Sequence, residues 1–397
     1  MPVQETAVLV AGCRTPIGKF QGALSSLKAT ELGAIVVREA VRRAGLKPEQ
    51  VEEVILGNVL QAGLGQNPAR AAALGGGIPD TVPSFTVNKV CGSALKAVML
   101  AAQAIKAGDR KVVVAGGMES MTNAPHMLLG SRNGLRLGDG KLVDSMIHDG
   151  LWDHYNSFHM GETGEIVAQR FHVTRQEADR LSVRSHKRAA DAQRAGRFKD
   201  EIVAVPVPQR KGPPVIVSED EGIRTDSDEA VLAKLKPSFR EGGQVTAGNS
   251  SQISDGAAAV VVVAKSYALA HKLPILAEIE GYDSSGTKPE WVMEAPIASV
   301  RNLLKATGKT ARDLDLLEHN EAFASASCAV QKELGIPDDR VNVNGGAVAL
   351  GHPIGASGTR VLLTLVHELK RRGGGRGVAT LCLGGGNAVS MMVQVPK

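Results

Sequence analysis

Aromatic side chains are scarce: seven Phe, three Tyr and two Trp in 397 residues, 3% of the chain. That shortage removes the stacking platforms with which proteins hold single-stranded nucleic acid, so the net charge of +5 needs another reading. Basic residues are interleaved with acids, as in Arg175-Gln176-Glu177-Ala178-Asp179-Arg180. This describes a solvated surface first and a phosphate-bearing small ligand second, with no nucleic-acid partner. Cysteine is scarce too. Cys13, Cys91, Cys328 and Cys382 lie far apart, without metal-ligand spacing or the density of a disulfide framework, and no signal-peptide pattern opens the chain. Free thiols in a reducing cytoplasm, no disulfides and no bound metal are expected. No apolar run approaches the roughly 20 residues needed to cross a bilayer, so no membrane partner is expected either.

Glycine, by contrast, is abundant at 45 residues. It falls in clusters at the ends of apolar runs: Gly345-Gly346, Gly373-Gly374-Gly375 and Gly384-Gly385-Gly386. Such clusters suit tight strand-to-helix turns and close approach of backbone to a ligand. Between them, apolar runs alternate with helical spacing. Ala7–Val10 reads as a buried strand, and Thr30–Gly45 as a helix capped by Thr30 and stopped by Gly45. Strands follow at Val51–Asn58 and Ser84–Val90, then a helix at Gly92–Ala107 and a strand at Lys111–Ala115 running into Gly116-Gly117. The second half repeats the order: strand Leu276–Gly281, helix Pro296–Gly308, strand Leu314–Asn320, helix Glu321–Leu334, strand Arg340–Asn344, helix Gly358–Arg372, strand Val378–Leu383.

The match extends to residues. VREAVRRAGLKPEQVEEVILGN faces VRNLLKATGKTARDLDLLEHN, VNKVCGSAL faces VNVNGGAVAL, and GDRKVVVAGG faces GRGVATLCLGGG. Three pairs in one order indicate an internal duplication. The fold class is α/β, with mainly parallel sheets covered by helices and the two halves packed as a pseudo-dimer. Residues 121–251 break the pattern with charge, His, Gly and Pro and one charged helix near Arg175–Gly196. A connection that long is a functional lid or binding unit. It divides the first half into 1–120 and 252–274, where Asp255–Lys265 returns to a buried strand, and leaves 275–397 as the second half.

In α/β sheets ligand-handling side chains gather beyond the carboxyl ends of strands. Cys91, Asn320, His352 and Cys382 occupy such positions and come from both halves, which places a cleft between them. At Cys91 an extended run turns straight into a helix, where unpaired N–H groups and the helix dipole favour thiolate. The thiol pKa is therefore expected to fall from about 8.5 towards neutrality. His352 lies among Gly351, Pro353, Gly355 and Gly358, a rigid turn that fixes an imidazole. Taken singly, a structural histidine, a core cysteine at 382 and a helix-capping asparagine at 320 stand as even alternatives.

The blocks VNKVCGSALKA, HNEAFA, GGAVALGHPIGASG and CLGGGNA, with RTPIGKFQGAL, FHMGETGE and AGNSSQISDGAAA, resemble the signature blocks of the thiolase family, in order and over essentially the whole chain. The resemblance implies a duplicated βαβαβαββ fold in five layers, α-β-α-β-α, with an inserted loop domain. It implies cleavage or formation of the carbon–carbon bond of a 3-ketoacyl-CoA in two half-reactions. Cys91 matches the nucleophile that becomes acylated, His352 its base, and Cys382 the second acid/base. Asn320 matches the residue that, with His352, serves the enolate oxygen; the backbone N–H groups of Cys91 and Gly384 match a second oxyanion site. Leu151, His159, Met160, Arg224, Ser251 and Phe323 match the surroundings of CoA, with Arg224 nearest a phosphate or the adenine. CoA is part of the substrates, so no separate cofactor is implied.

Met160, in HMG, implies a short acyl chain: ping-pong condensation of two acetyl-CoA to acetoacetyl-CoA and CoA, and the reverse. A broader 3-ketoacyl-CoA thiolase of fatty-acid breakdown is the alternative. The resemblance also implies a homotetramer, a dimer of dimers, with contacts from the loop Met121–Gly140. The chain departs from the usual pattern at Ala94, Asn387 and Ala388, at His319 beside Asn320, and in WVMEAPIAS, where Val292 or Met293 faces the acyl group. His319 is a strand neighbour of Asn320 pointing to the opposite face, and has no catalytic role.

Overall fold

The computed structural model describes residues 5–397. The N-terminal half runs through β1 (Ala7–Arg14), α1 (Ala29–Arg43), β2 (Glu53–Gly57), β3 (Ser84–Val87), α2 (Ser93–Ala107), β4 (Val112–Ser120) and, beyond the insert, β5 (Ser254–Ala264). The C-terminal half runs through β6 (Ala277–Gly286), α3 (Ala295–Ala306), β7 (Leu316–His319), α4 (Ala324–Leu334), α5 (Ser357–Arg371), β8 (Gly375–Leu383) and β9 (Asn387–Val395). Together they form one sheet in the order β7-β8-β9-β6-β1-β5-β4-β2-β3. Within the sheet the halves meet at a short seam, where Val8 faces Glu278 and Leu9 faces Ala277.

Both faces of each half-sheet are covered, which is why β1, β4 and β5 are buried at every position. α1 packs on the outer face of the N-terminal half and α3 on that of the C-terminal half, while α2 and α5 pack against each other in between. The central core joins Leu95, Val98, Met99 and Ala102 of α2 to Val361, Leu362, Leu365 and Val366 of α5, with strand residues of both halves around them. The result is the α-β-α-β-α layering. Small residues set the spacing of the middle layer: a Cβ on Gly358 of α5 would collide with the backbone of Leu95 in α2. Over Val90–Ala107 the mean hydropathy of 1.3 is that of a membrane span, but α2 is enclosed between the half-sheets.

Several expectations change. The sheet is mixed rather than mainly parallel: only β2–β3, β2–β4 and β7–β8 are parallel, since each half ends in a strand that returns beside its predecessor. Of these, β9 was not recognised in the sequence. α1 starts at Ala29 instead of being capped by Thr30, and its first turn is closed by Glu31, whose carboxylate accepts from the Lys28 N–H at 2.8 Å. The strand expected at Arg340–Asn344 shrinks to one bridge between Val341 and Leu317. There Asn342 takes a left-handed φ of 44°, and its side chain bonds both the N–H and the C=O of His319 at 2.8 Å, replacing a ladder. The helix expected from Glu321 begins at Ala324, because Glu321 also has φ > 0 and its carboxylate is held by Ser185 and Asn342.

Candidate active site

β3 ends at Val87, and the chain turns sharply before α2. Asn88 accepts from the Val90 N–H at 3.0 Å, and Val90 sits at φ 47°, a strained value for a β-branched residue. Ser93 locks the turn: its hydroxyl accepts from the Lys89 N–H at 2.8 Å and donates to the Val90 carbonyl at 2.6 Å. Cys91 is thereby presented just ahead of the helix, beneath the Gly384 turn. Its electrostatics correct the sequence expectation. Burial pushes the thiol up to about 12, outweighing the backbone N–H groups of Gly384 and Cys91 that hydrogen-bond to the sulfur and pull the other way. At rest Cys91 is a neutral thiol.

His352 is buried, 5% exposed, in the loop before α5. Its N–H is held by the Gln252 carbonyl at 3.0 Å, and Nδ1 lies 2.6 Å from Ser357 Oγ. That hydroxyl donates to the Pro353 carbonyl at 2.9 Å, which assigns the proton to Nδ1 and leaves Nε2 with a free lone pair. Burial, helped by the Arg360 cation, lowers the imidazole pKa to about 3, so the ring is neutral. Asn320 is fully buried, with its amide nitrogen 3.3 Å from both ring nitrogens of His352. An atom equidistant from both cannot lie in the ring plane without clashing with the carbon between them, so the amide stacks on the imidazole face. Cys382 lies near the end of β8 with its sulfur 3.6 Å from that of Met293, and burial together with the nearby Cys91 raises its pKa.

One cavity of ≈ 560 Å³ unites these groups: Cys91, His352, Cys382 and Gly384 line it, as do Leu151, His159, Met160, Arg224, Ser251 and Phe323. Asn320 does not line it but backs His352. Val292 and Met293 both face it, so each of the two candidates for the acyl end is present. The insert builds the opposite wall. His159 caps the helix Met160–Arg170 by accepting from the Gly161 N–H at 3.0 Å, and its ring stacks on Phe239 at 4.8 Å. Phe239 in turn meets Phe323 edge to face at 6.3 Å. The Arg224 N–H is held by Nδ1 of the buried His186 at 3.0 Å. The sequence reading missed Phe239, whose one signal was being an aromatic residue in an aromatic-poor chain, and Ser357, visible only as a serine five positions beyond the histidine. Among the described residues no group of three or more His, Cys, Asp and Glu is placed to hold a metal ion.

The arrangement offers two neutral thiols, a neutral imidazole with a free Nε2, and two N–H groups aimed at one sulfur: the equipment of acyl transfer through a thioester. Known proteins agree. Residues 7–266 match "Thiolase, N-terminal domain" and residues 273–395 "Thiolase, C-terminal domain". The acetyl-CoA acetyltransferase of Chromobacterium violaceum is 54% identical over 388 residues, 98% of this chain and 99% of that one. That of Cupriavidus necator is 52% identical over 387 residues, 98% of each. The crystal structure of the Bacillus anthracis acetyl-CoA acetyltransferase superposes with a TM-score of 0.97 at 42% identity, covering 100% of both chains. With fold, site and relatives in agreement from end to end, the chain belongs to the thiolase family.

Proposed function

We propose that the protein is an acetyl-CoA C-acetyltransferase, joining two acetyl-CoA into acetoacetyl-CoA and CoA and running the reverse thiolysis through S-acetyl-Cys91. The observation that carries this is the convergence of Cys91, His352 and Cys382 from both halves on one cavity. In the cleavage direction the resting neutral groups suffice. Cys91 Sγ attacks the 3-keto carbon while its proton passes to Nε2 of His352. The bond between C2 and C3 breaks with its electron pair on C2, as the enolate of acetyl-CoA. Cys382, a neutral thiol, gives C2 its proton, and acetyl-CoA leaves. CoA thiol then passes its proton to the Cys382 thiolate and attacks the S-acetyl carbonyl; Cys91 departs and recovers its proton from His352. Condensation is the same path reversed.

Two kinds of oxyanion form along this path, tetrahedral and enolate. The N–H groups of Cys91 and Gly384, already directed at the sulfur, serve the tetrahedral one. Asn320 and His352 serve the enolate. Each preorganised donor is worth about 3 kcal/mol in comparable sites. A short acyl chain is supported by Met160 and by the Met293–Cys382 contact, which closes the cavity beside the thiol. A homotetramer is supported by the hairpin of His126–Leu128 and Leu142–Asp144, whose Leu129, Leu135, Leu137 and Leu142 stand exposed. The four unpaired cysteines suit a reducing cytoplasm. Mass spectrometry after incubation with acetyl-CoA should find an acetyl group on Cys91, and thiolysis rates should fall as the 3-ketoacyl chain lengthens beyond acetoacetyl-CoA. An unlabelled Cys91 overturns the reading; rates that hold or rise with chain length favour the broader thiolase.

A further inference from the structure

Glu119, at the end of β4, has no exposed surface and no salt-bridge partner among the described residues. Its carboxylate instead collects N–H groups from two distant parts of the chain, residues 58–60 and Gly355. Oε1 accepts from Asn58 Nδ2 at 2.7 Å and from the Leu60 N–H at 3.2 Å, and Oε2 from the Val59 N–H at 3.0 Å. The fourth donor is the Gly355 N–H at 2.9 Å, which belongs to the turn after His352. Four donors and no acceptor suit the ionised form. The fit leaves no slack: a Cβ on Gly355 would come 2.6 Å from Oε2 and 2.6 Å from the Met118 carbonyl. Above the clamp, Val59, Leu60, Met121 and Ile354 form a small apolar cluster on which Cys91 packs. The carboxylate therefore ties the histidine's turn, in one half, to the floor beneath the thiol, in the other.

We propose that Glu119 is a positioning residue: its buried carboxylate sets the register between the His352 turn and Cys91 on which proton transfer depends. The proposal rests on the function given above. It is supported by the stability cost of the ion. Burial raises the Glu119 pKa from 4.5 to about 7, so ionising it costs the fold nothing below pH 4.5 and the full amount above pH 7. Above about pH 7 the fold carries this charge, against its own stability, next to the thiol.

The test compares Glu119→Gln and Glu119→Asp with the parent enzyme. In Gln, one carboxylate oxygen becomes an NH2 group facing N–H donors, so the Gly355 or the Asn58 anchor is lost. We expect kcat to fall about 10²-fold, as for a displacement near 1 Å, with KM for acetyl-CoA changed less than about threefold. Asp keeps the charge but retracts the oxygens, and should lower kcat in the same way. Iodoacetamide alkylation of Cys91 separates charge from geometry. The groups that bear on the thiol are Glu119, Cys382, the neutral His352 on the same cavity, and the N–H groups of Gly384 and Cys91 itself. Removing the Glu119 charge should move the alkylation profile to lower pH in Gln and leave it in place in Asp. Folded variants with kcat within about twofold of the parent overturn the proposal, as does a loss confined to KM. Failure of both variants to fold also overturns it, since Glu119 then serves only the fold. A parent enzyme that acquires no acetyl group overturns the functional reading instead.

Discussion

The two halves share a scaffold and differ in what they place inside it. Asn58 and Asn320 occupy the same position after β2 and β7, yet Asn58 holds the Glu119 carboxylate while Asn320 lies on the His352 ring. Leu56, in the apolar core of the first half, corresponds to Glu318 in the second, and Lys96 of α2 to Arg360 of α5; both Glu318 and Arg360 are buried. The route into the central helix differs as well. The N-terminal half turns directly from β3 into α2 and strains Val90 to present a thiol. The C-terminal half spends Asn344–Ala356 on a one-turn helix, Ala347–Leu350, and the loop that carries His352. At the next strand end the asymmetry reverses: β8 turns through Gly384-Gly385-Gly386 into β9, whereas β4 opens into the whole insert before β5. Duplication supplied the frame, and each half then specialised at the positions where the frame ends.

The comparison can be broken from either side. The largest effect belongs to the thiol of the first half. Cys91→Ala should abolish acetyl labelling and lower exchange by about 10⁴-fold or more, with folding intact by circular dichroism. Next comes the charged interior of the second half. Glu318→Leu restores the residue of the first half and removes the carboxyl that most favours the Arg360 cation, although burial drives Glu318 itself towards its neutral form; stability in urea unfolding should fall by about 1–3 kcal/mol. Adding Arg360→Met should recover most of that loss, whereas independent, additive losses would show the two groups uncoupled. Asn320→Ala should lower kcat by 10²–10³-fold, about 3–4 kcal/mol, with little change in KM; a loss confined to KM would remove Asn320 from the enolate site.

The smallest effect sharpens the comparison at Gly57 and its counterpart His319. Burial lowers the His319 pKa to about 4, so its neutral form contributes stability that is complete above the ordinary value of 6.5 and lost as pH falls from 6.5 to 4. His319→Gln should reduce the drop in stability between pH 7.5 and pH 5 by about 1–2 kcal/mol, read from urea midpoints at the two values. An unchanged drop would show that His319 does not take up its proton on unfolding.

Much of this was legible in the sequence, because apolar runs, glycine stops and the repeated order are local or periodic signals. The residues assigned to the cavity line it, apart from Asn320 one layer behind, since strand ends and glycine turns bring them to one edge. What could not be read depends on distant groups. The Cys91 pKa moved opposite to expectation because the helix start is visible locally while the burial of the thiol by distant parts of the chain is not. The strand at Arg340–Asn344 disappeared because one asparagine side chain took over the bonds of a ladder. The four-donor clamp on Glu119 draws on residues hundreds of positions apart.

Within the sheet the seam between the halves spans two residue pairs, and Cys91 stands on one side of it with His352 on the other. Reactivity is thereby made conditional on complete assembly. A chain in which only the first half has formed owns the cysteine but neither the imidazole nor the Gly384 N–H that the proposed mechanism assigns to its proton and to the acyl oxygen. On the proposed mechanism, acylation needs the C-terminal third of the chain docked on the first half, so activity becomes a report on complete assembly.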